Sequence, residues 1–151
     1  MDHCRLLSGD TIVAVVELMV SVFGVTCNLL SIYLIIKSES LRCVYGLICG
    51  AYCVSNIVVL TASFAWSEVV LYLNMEELSW IGILCAHIAN TSFYSSVCLH
   101  FLGTINRFIA ICYPARYVHI FTMRTVIRCI PLIWMSCFAV GIMYHIGEDC
   151  V

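Results

Sequence analysis

Charged side chains are scarce in this sequence. They make up 11% of the 151 residues, against 63% hydrophobic residues and a mean hydropathy of +1.04. A soluble domain carries about 25% charged residues, so water is not the solvent for most of this surface. Four long segments contain no Asp, Glu, Lys or Arg at all: Leu18–Ile36, Cys43–Ser67, Leu78–Asn106 and Cys129–Gly147.

Each charge-free segment is long enough to cross a membrane, because about 20 apolar residues span a hydrocarbon core. The segments lack the alternation of a barrel strand, and helices satisfy their own backbone groups in lipid. The sequence therefore predicts an all-α membrane protein with four transmembrane helices, at about residues 11–36, 43–67, 78–111 and 125–146. Lipid is the predicted environment.

Proline is almost absent. Pro114 and Pro131 are the two prolines, and both fall at predicted loop or helix-start positions, where a missing N–H costs little. No predicted span is therefore expected to be broken in its interior.

Catalytic and metal-binding motifs are also missing. The sequence has no Gly-x-Ser-x-Gly, no phosphate-binding Gly-rich loop and no His-Glu-x-x-His. The pairs Cys85/His87 and Cys98/His100 are two residues apart, so their side chains leave a helix in different directions, and structural zinc needs four convergent ligands. We predict no enzymatic activity, catalytic residue, cofactor or metal.

The few basic residues indicate an orientation. Lys and Arg stay on the cytoplasmic side of a membrane, and nearly all of them lie between the first and second spans or between the third and fourth. The second loop and the C-terminal tail contain acidic residues and no basic residue. We predict a multi-pass protein of the plasma membrane with its N-terminus outside. No basic patch remains for nucleic acid.

Most of the eleven cysteines lie inside predicted spans, out of reach of oxidising machinery. Cys4, Cys85 and Cys150 lie near the predicted outer face. A Cys85–Cys150 disulfide is the preferred pairing, and Cys4 is the competing partner.

The end of the third predicted span carries the most specific motif. Residues 105–117 read INRFIAICYPARY, which resembles the Asp-Arg-Tyr-x-Ala-Ile-x-x-Pro-x-x-Tyr signature of rhodopsin-like receptors. The matching residues are Arg107, Ala110, Ile111, Pro114 and Tyr117. Asn106 replaces the usual acid and Phe108 the usual tyrosine.

Three further residues fall where that family places its helix markers: Asn28 in the first span, Asn56 in the second and Trp134 in the fourth. The stretches at residues 28–37 and 45–49 look most like nematode serpentine receptors of class x. The resemblance covers nearly all of the chain from Val25 onward.

The resemblance implies a seven-helix, G-protein-coupled receptor. Its coupling and activation motif would comprise Asn106, Arg107, Phe108, Pro114 and Tyr117, with a heterotrimeric G protein as partner. Because Asn106 lacks a carboxylate, we expect a looser resting state or a different partner for Arg107. Asn56 stands where the family usually has an aspartate, so sodium is not expected in the core.

One face of the third helix is predicted to point into the bundle. At about 100° per residue, Ala89, Phe93, Ser96 and His100 share a stripe with Arg107. A polar stripe with a histidine deep in the span is typical of a bundle interior, so His100 is taken as a core marker beside Asn28, Asn56 and Trp134.

An external ligand, either a small molecule or a peptide, would bind in the half of the bundle away from Arg107. The candidate pocket residues are Ala89 and Phe93 on the inward stripe, Asn90 and Tyr94 flanking it, and Glu17 within the first apolar segment. Glu17 lies close to the outer end of its span, so it either reaches the membrane interface or, if it faces inward, contributes a polar group to the pocket.

The family resemblance implies three further spans, so we interpret the chain as a fragment or truncated form of a chemosensory receptor. The alternative is a four-helix membrane scaffold, or a protein without signalling of its own that pairs with an intact receptor as a dimer. A scaffold of the usual four-helix type places both termini inside, whereas this chain is predicted to have both outside.

Overall fold

Helices form nearly all of the described chain. The computed structural model describes residues 2–72 and 79–148, with side chains given for 12–67 and 81–143. The helices are α1 (Asp2–Lys37), α2 (Val44–Tyr72), α3 (Ser79–Cys112), α4 (Pro114–Ile120) and α5 (Met123–Glu148), and a 3₁₀ turn at Glu39–Leu41 joins α1 to α2. No strand occurs in those residues, so the predicted all-α fold is confirmed.

Four helices within the described ranges are long and apolar enough to cross a membrane: Ile12–Lys37, Val44–Ser67, Ile81–Cys112 and Met123–Met143. Most of their large apolar side chains point outward, among them Phe23, Leu132 and Met143. Lipid tails are as apolar as these side chains, so this surface needs no burial in protein. The protein is a multi-pass membrane protein, as predicted.

The helices pack around one central pair. α2 and α3 form the most extensive contact, α1 packs on α2, and α5 packs mainly on α3. Small polar residues dominate the buried positions of that pair, including Ser55, Ser92 and Ser95. Small side chains let helix backbones approach closely in a membrane, where van der Waals packing replaces the hydrophobic effect.

We name the two ends of the bundle after the charged residues that they contain. The Arg107 end holds the C-terminus of α1, the start of α2, the end of α3, α4 and the start of α5. The Glu17 end holds the opposite halves of α1, α2, α3 and α5. An apolar cluster of Ile48, Phe121 and Val126 closes the Arg107 end and joins α2 to the α4–α5 segment.

Polar contacts fix the helix termini at the Arg107 end. The guanidinium of Arg42 donates two hydrogen bonds to the Ile36 carbonyl at the end of α1, at 2.9 and 2.7 Å. Thr122 accepts a hydrogen bond from the backbone N–H of Thr125 at 3.2 Å, which caps the start of α5. The connections between spans are thereby held close to the helix ends.

The prolines correct one expectation. Pro114 begins α4, as a helix-start proline should, but Pro131 lies inside α5. The fourth span was predicted at about residues 125–146 with Pro131 near its start, whereas α5 begins at Met123 and carries Arg124 and Arg128 in its first turns. Pro131 therefore removes one backbone hydrogen bond within a span, a loss that transmembrane helices tolerate.

Candidate functional site

Asn106 is anchored at the Arg107 end of α3. Its side chain is 2% exposed, and Nδ2 donates a long hydrogen bond of 3.4 Å to the hydroxyl of Tyr117 on α4. The Tyr117 ring in turn stacks on Phe121, with centroids 5.8 Å apart. The Asn106 side chain therefore links α3 to α4.

Arg107 contacts a different helix. Its guanidinium carbon lies 4.1 Å from the ring centroid of Tyr45, at the start of α2. This distance is well inside the range of about 6 Å over which an aromatic face attracts a cation. Arg107 is thus paired with an uncharged ring.

A cavity of about 390 Å³ opens beside Arg107. Tyr52 and Leu99 line its walls, together with His100 and Thr104 on α3, and no carboxylate is among the lining residues. Tyr45 lines this cavity as well, and Arg107 is exposed, so the guanidinium has open space beside the ring.

Phe108 and Pro114 shape the corner after α3. Phe108 is exposed, and its ring meets Tyr113 edge to face at 6.4 Å. Pro114 is the first residue of α4, and the fixed φ angle of proline suits this position. These two residues define the turn between α3 and α4.

A polar network links three helices at the middle of the bundle. Ser96 on α3 donates to Asn56 Oδ1 on α2 at 2.6 Å. Asn56 Nδ2 donates a long hydrogen bond of 3.5 Å to Asn28 Oδ1 on α1, and Asn28 Nδ2 donates to the Gly24 carbonyl at 2.7 Å. The network uses amides and a hydroxyl, so it carries no formal charge.

This network borders a cavity of about 500 Å³ between α2 and α3. Phe93, Ser96 and His100 line it from α3, which confirms that these three stripe residues share a face. The His100 ring lies 5.6 Å from that of Tyr52. His100 lines both this cavity and the one beside Arg107, and so connects the two.

The predicted ligand residues are dispersed in the Glu17 half of the bundle. Glu17 is half-buried and accepts a hydrogen bond from Ser67 on α2. Ala89 is half-buried, while Asn90 and Tyr94 are exposed. Of the five candidates, Phe93 lines the central cavity, and its ring meets that of Tyr94 edge to face at 5.8 Å.

Trp134 lies apart from the polar network. It is half-buried on α5 and lines an apolar cavity of about 360 Å³ with Phe138 and residues of α2 and α3. Cys85 is half-buried near the start of α3. Cys150 and Cys4 have no described side chains, so the disulfide stays a prediction.

Sequence reasoning missed two tyrosines of α2 and one serine. Tyr45 meets Arg107, Tyr52 meets His100, and Ser67 meets Glu17. The available signal was positional: in antiparallel neighbouring spans, a residue near the start of α2 lies level with the end of α3. Asn56 was the signal for the side of α2 that faces α3, and Tyr52 lies one turn before it on that side.

Comparison with known proteins places the chain in a receptor family. The family described as serpentine type 7TM GPCR chemoreceptor Srx matches residues 18–151. Melanocortin receptor 5 of Mus musculus is 31% identical over 128 residues, covering 79% of this chain and 39% of the relative. Melanocortin receptor 5 of Homo sapiens is 29% identical over 144 residues, covering 89% and 43%. The chain thus spans about two fifths of the length of these curated relatives.

Proposed function

The chain belongs to the serpentine-type seven-transmembrane chemoreceptor family Srx, and from this premise we propose that it binds an external ligand between its helices and couples to a heterotrimeric G protein. It is a G-protein-coupled type of receptor by family and a multi-pass membrane protein by its four apolar helices. The G protein would bind at the Arg107 end of the bundle, and the ligand would bind in the half toward Glu17.

The environment of Arg107 carries this proposal. The guanidinium is exposed at the end of a spanning helix, beside a cavity whose lining includes no carboxylate. A guanidinium presents five N–H donors in a rigid fork that suits carbonyl and carboxylate oxygens. A protein segment that enters at this end can therefore be bound by charge-assisted hydrogen bonds.

The central cavity supports ligand recognition. Asn56, Ser96 and His100 give it hydrogen-bonding groups, and Phe93 gives it an aromatic wall. Few convergent polar groups in an otherwise apolar cavity are typical of small-molecule sites. Because the lining carries no carboxylate, we propose an uncharged ligand with a polar group and an apolar body.

The charge distribution supports a cytoplasmic Arg107 end. Lys37, Arg42, Arg116 and Arg124 lie at the same end of the bundle as Arg107. Basic residues near span ends remain on the cytoplasmic side. We therefore propose a plasma-membrane receptor with the N-terminus of α1 outside.

The test is binding of a purified, nucleotide-free heterotrimeric G protein to the protein in lipid nanodiscs. Replacing Arg107 with Gln removes the charge and the fork while keeping a polar side chain of similar length. We expect this change to weaken binding by about tenfold to a hundredfold, the range that hydrogen bonds to a charged group supply.

Arg124→Gln is the matched control, because it removes the same charge from an exposed site at the same end, in the first turn of α5. We expect it to change binding less than about threefold. Equal losses in the two variants would indicate a general basic surface, and no binding by the unmodified protein would refute coupling by this chain.

A further inference from the structure

We infer that Tyr45 is the resting-state partner of Arg107, and that its ring restrains coupling through a cation–π contact, since the described side chains form no ion pair with Arg107. The contact itself is geometric: the guanidinium carbon lies 4.1 Å from the centre of the ring. Its effect on coupling rests on the proposed function.

The residue before Arg107 cannot take this role. Asn106 has no charge to offer, it is 2% exposed, and its amide is directed to Tyr117 on α4. The cavity that Arg107 and Tyr45 both border has no carboxylate among its lining residues in the described part of the chain. The negative face of the Tyr45 ring is therefore the electrostatic partner that the surroundings of Arg107 provide.

The ring of Tyr45 lies beside α3 at Gly103. Gly103 lies one turn before Arg107 on the same face, and a Cβ placed there would stand 3.8 Å from Cε2 of Tyr45 and 3.5 Å from Cγ2 of Ile48. The ring of Tyr45 thus rests against α3 at Gly103 and reaches the guanidinium one turn further on.

The same arrangement makes the contact reversible. Arg107 is exposed, and both its side chain and the Tyr45 ring border the cavity of about 390 Å³. A cation–π contact is weaker than charge-assisted hydrogen bonds in bidentate geometry. A partner that presents carbonyl or carboxylate oxygens can therefore displace the ring, and loss of the ring should favour such a partner.

The experiment measures Arg107 directly, before any G protein is added. The protein in nanodiscs is treated with phenylglyoxal, and modification of each arginine is followed by mass spectrometry. We expect Tyr45→Leu to raise the Arg107 rate by about threefold to thirtyfold, the range corresponding to a cation–π contact. Tyr45→Phe should stay within about twofold, and Tyr45→Trp should slow modification, since indole binds cations best.

Two comparisons separate this effect from unfolding. Lys37 lies 5.4 Å from the ring of Tyr33 on α1, so Tyr33→Leu removes a similar contact away from Arg107 and should leave its rate unchanged. Arg116 and Arg124 report on the same end in the same spectra. A uniform rise at all three arginines, or an unchanged Arg107 rate in Tyr45→Leu, would overturn the inference.

A second arm tests the consequence for coupling. The affinity for the G protein should rise in Tyr45→Leu by the same factor as the rate at which phenylglyoxal modifies Arg107. In Tyr45→Phe, the affinity should stay near that of the wild-type protein. A raised rate with unchanged affinity would refute the restraint on coupling. Absence of binding in every variant, with the Tyr45-dependent rate intact, would refute the proposed function and leave the cation–π partner established.

Discussion

The Arg107 end and the Glu17 end of the bundle are held together by different kinds of contact. At the Arg107 end, Ile48 and Val126 are each 1% exposed and form an apolar cluster with Phe121. Toward the Glu17 end, the buried groups are mainly small hydroxyl residues beside open cavities. The first arrangement packs large apolar side chains against one another, whereas the second brings the helices together through small side chains.

Glycines show the same contrast. A Cβ at Gly46 would stand 1.8 Å from the backbone oxygen of Leu41, which a side-chain movement cannot relieve. A Cβ at Gly82 would stand 2.0 Å from the end of the Trp66 indole. The indole can move to another rotamer, so the Glu17 end can adapt to a substitution that the Arg107 end cannot accommodate.

The largest effect is expected in the apolar cluster. Ile48→Ala should lower the free energy of unfolding by about 2–4 kcal/mol, since it leaves a cavity among fully buried side chains. Ile127→Ala makes the same deletion at an exposed site of the same end and should cost less than about 1 kcal/mol, because lipid fills the space. SDS-driven unfolding in mixed micelles measures both, and similar losses would show that the cluster does not fix this end.

Next in size is Gly46→Ala. The backbone clash should cost about 1–3 kcal/mol, the range for an added methyl group in a packed site. Gly50→Ala is the control one turn along α2, where an added Cβ meets nothing within 4 Å. That control should be neutral or slightly stabilising, since alanine is the better helix former. A neutral Gly46→Ala in the same unfolding assay would contradict the close approach of Leu41.

The smallest effect is expected at the Glu17 end. Gly82→Ala should lower the free energy of unfolding by about 1 kcal/mol or less, because displacing Trp66 costs on the order of one unfavourable rotamer. In a Trp66→Leu background, the obstructing ring is absent, and the cost of Gly82→Ala should disappear. A double-mutant cycle measures the interaction free energy between positions 66 and 82. An interaction free energy near zero would mean that the two side chains do not meet.

The spanning helices could be predicted because their signal is local. Four charge-free runs, each long enough for a membrane, predicted the all-α fold, and the motif around Arg107 predicted the receptor family that the comparisons confirm. The start of α5 was less predictable, because Arg124 and Arg128 interrupt the apolar run without ending the helix. Helix capping by Thr122 was the local signal for that start.

The contacts between helices could not be predicted in the same way. Placing His100 on the inward face of α3 required only helical periodicity, since its polarity stands out in an apolar span. Tyr45 and Tyr52 gave no such signal, because tyrosine suits lipid interfaces and bundle interiors equally well. The role of Glu17 likewise depended on whether Ser67 of α2 lay opposite, which a single helix pattern does not determine.

The hydrogen bond between Asn106 and Tyr117 couples movements of α3 and α4. The two residues are eleven positions apart, on either side of the corner at Tyr113 and Pro114. Tyr117 links α4 to α3, and Phe121 at the end of α4 packs in the apolar cluster. The position of α4 therefore depends on both contacts. Rotation of α3 about its axis is therefore expected to tilt α4. A movement within the membrane would then displace a segment at the membrane surface.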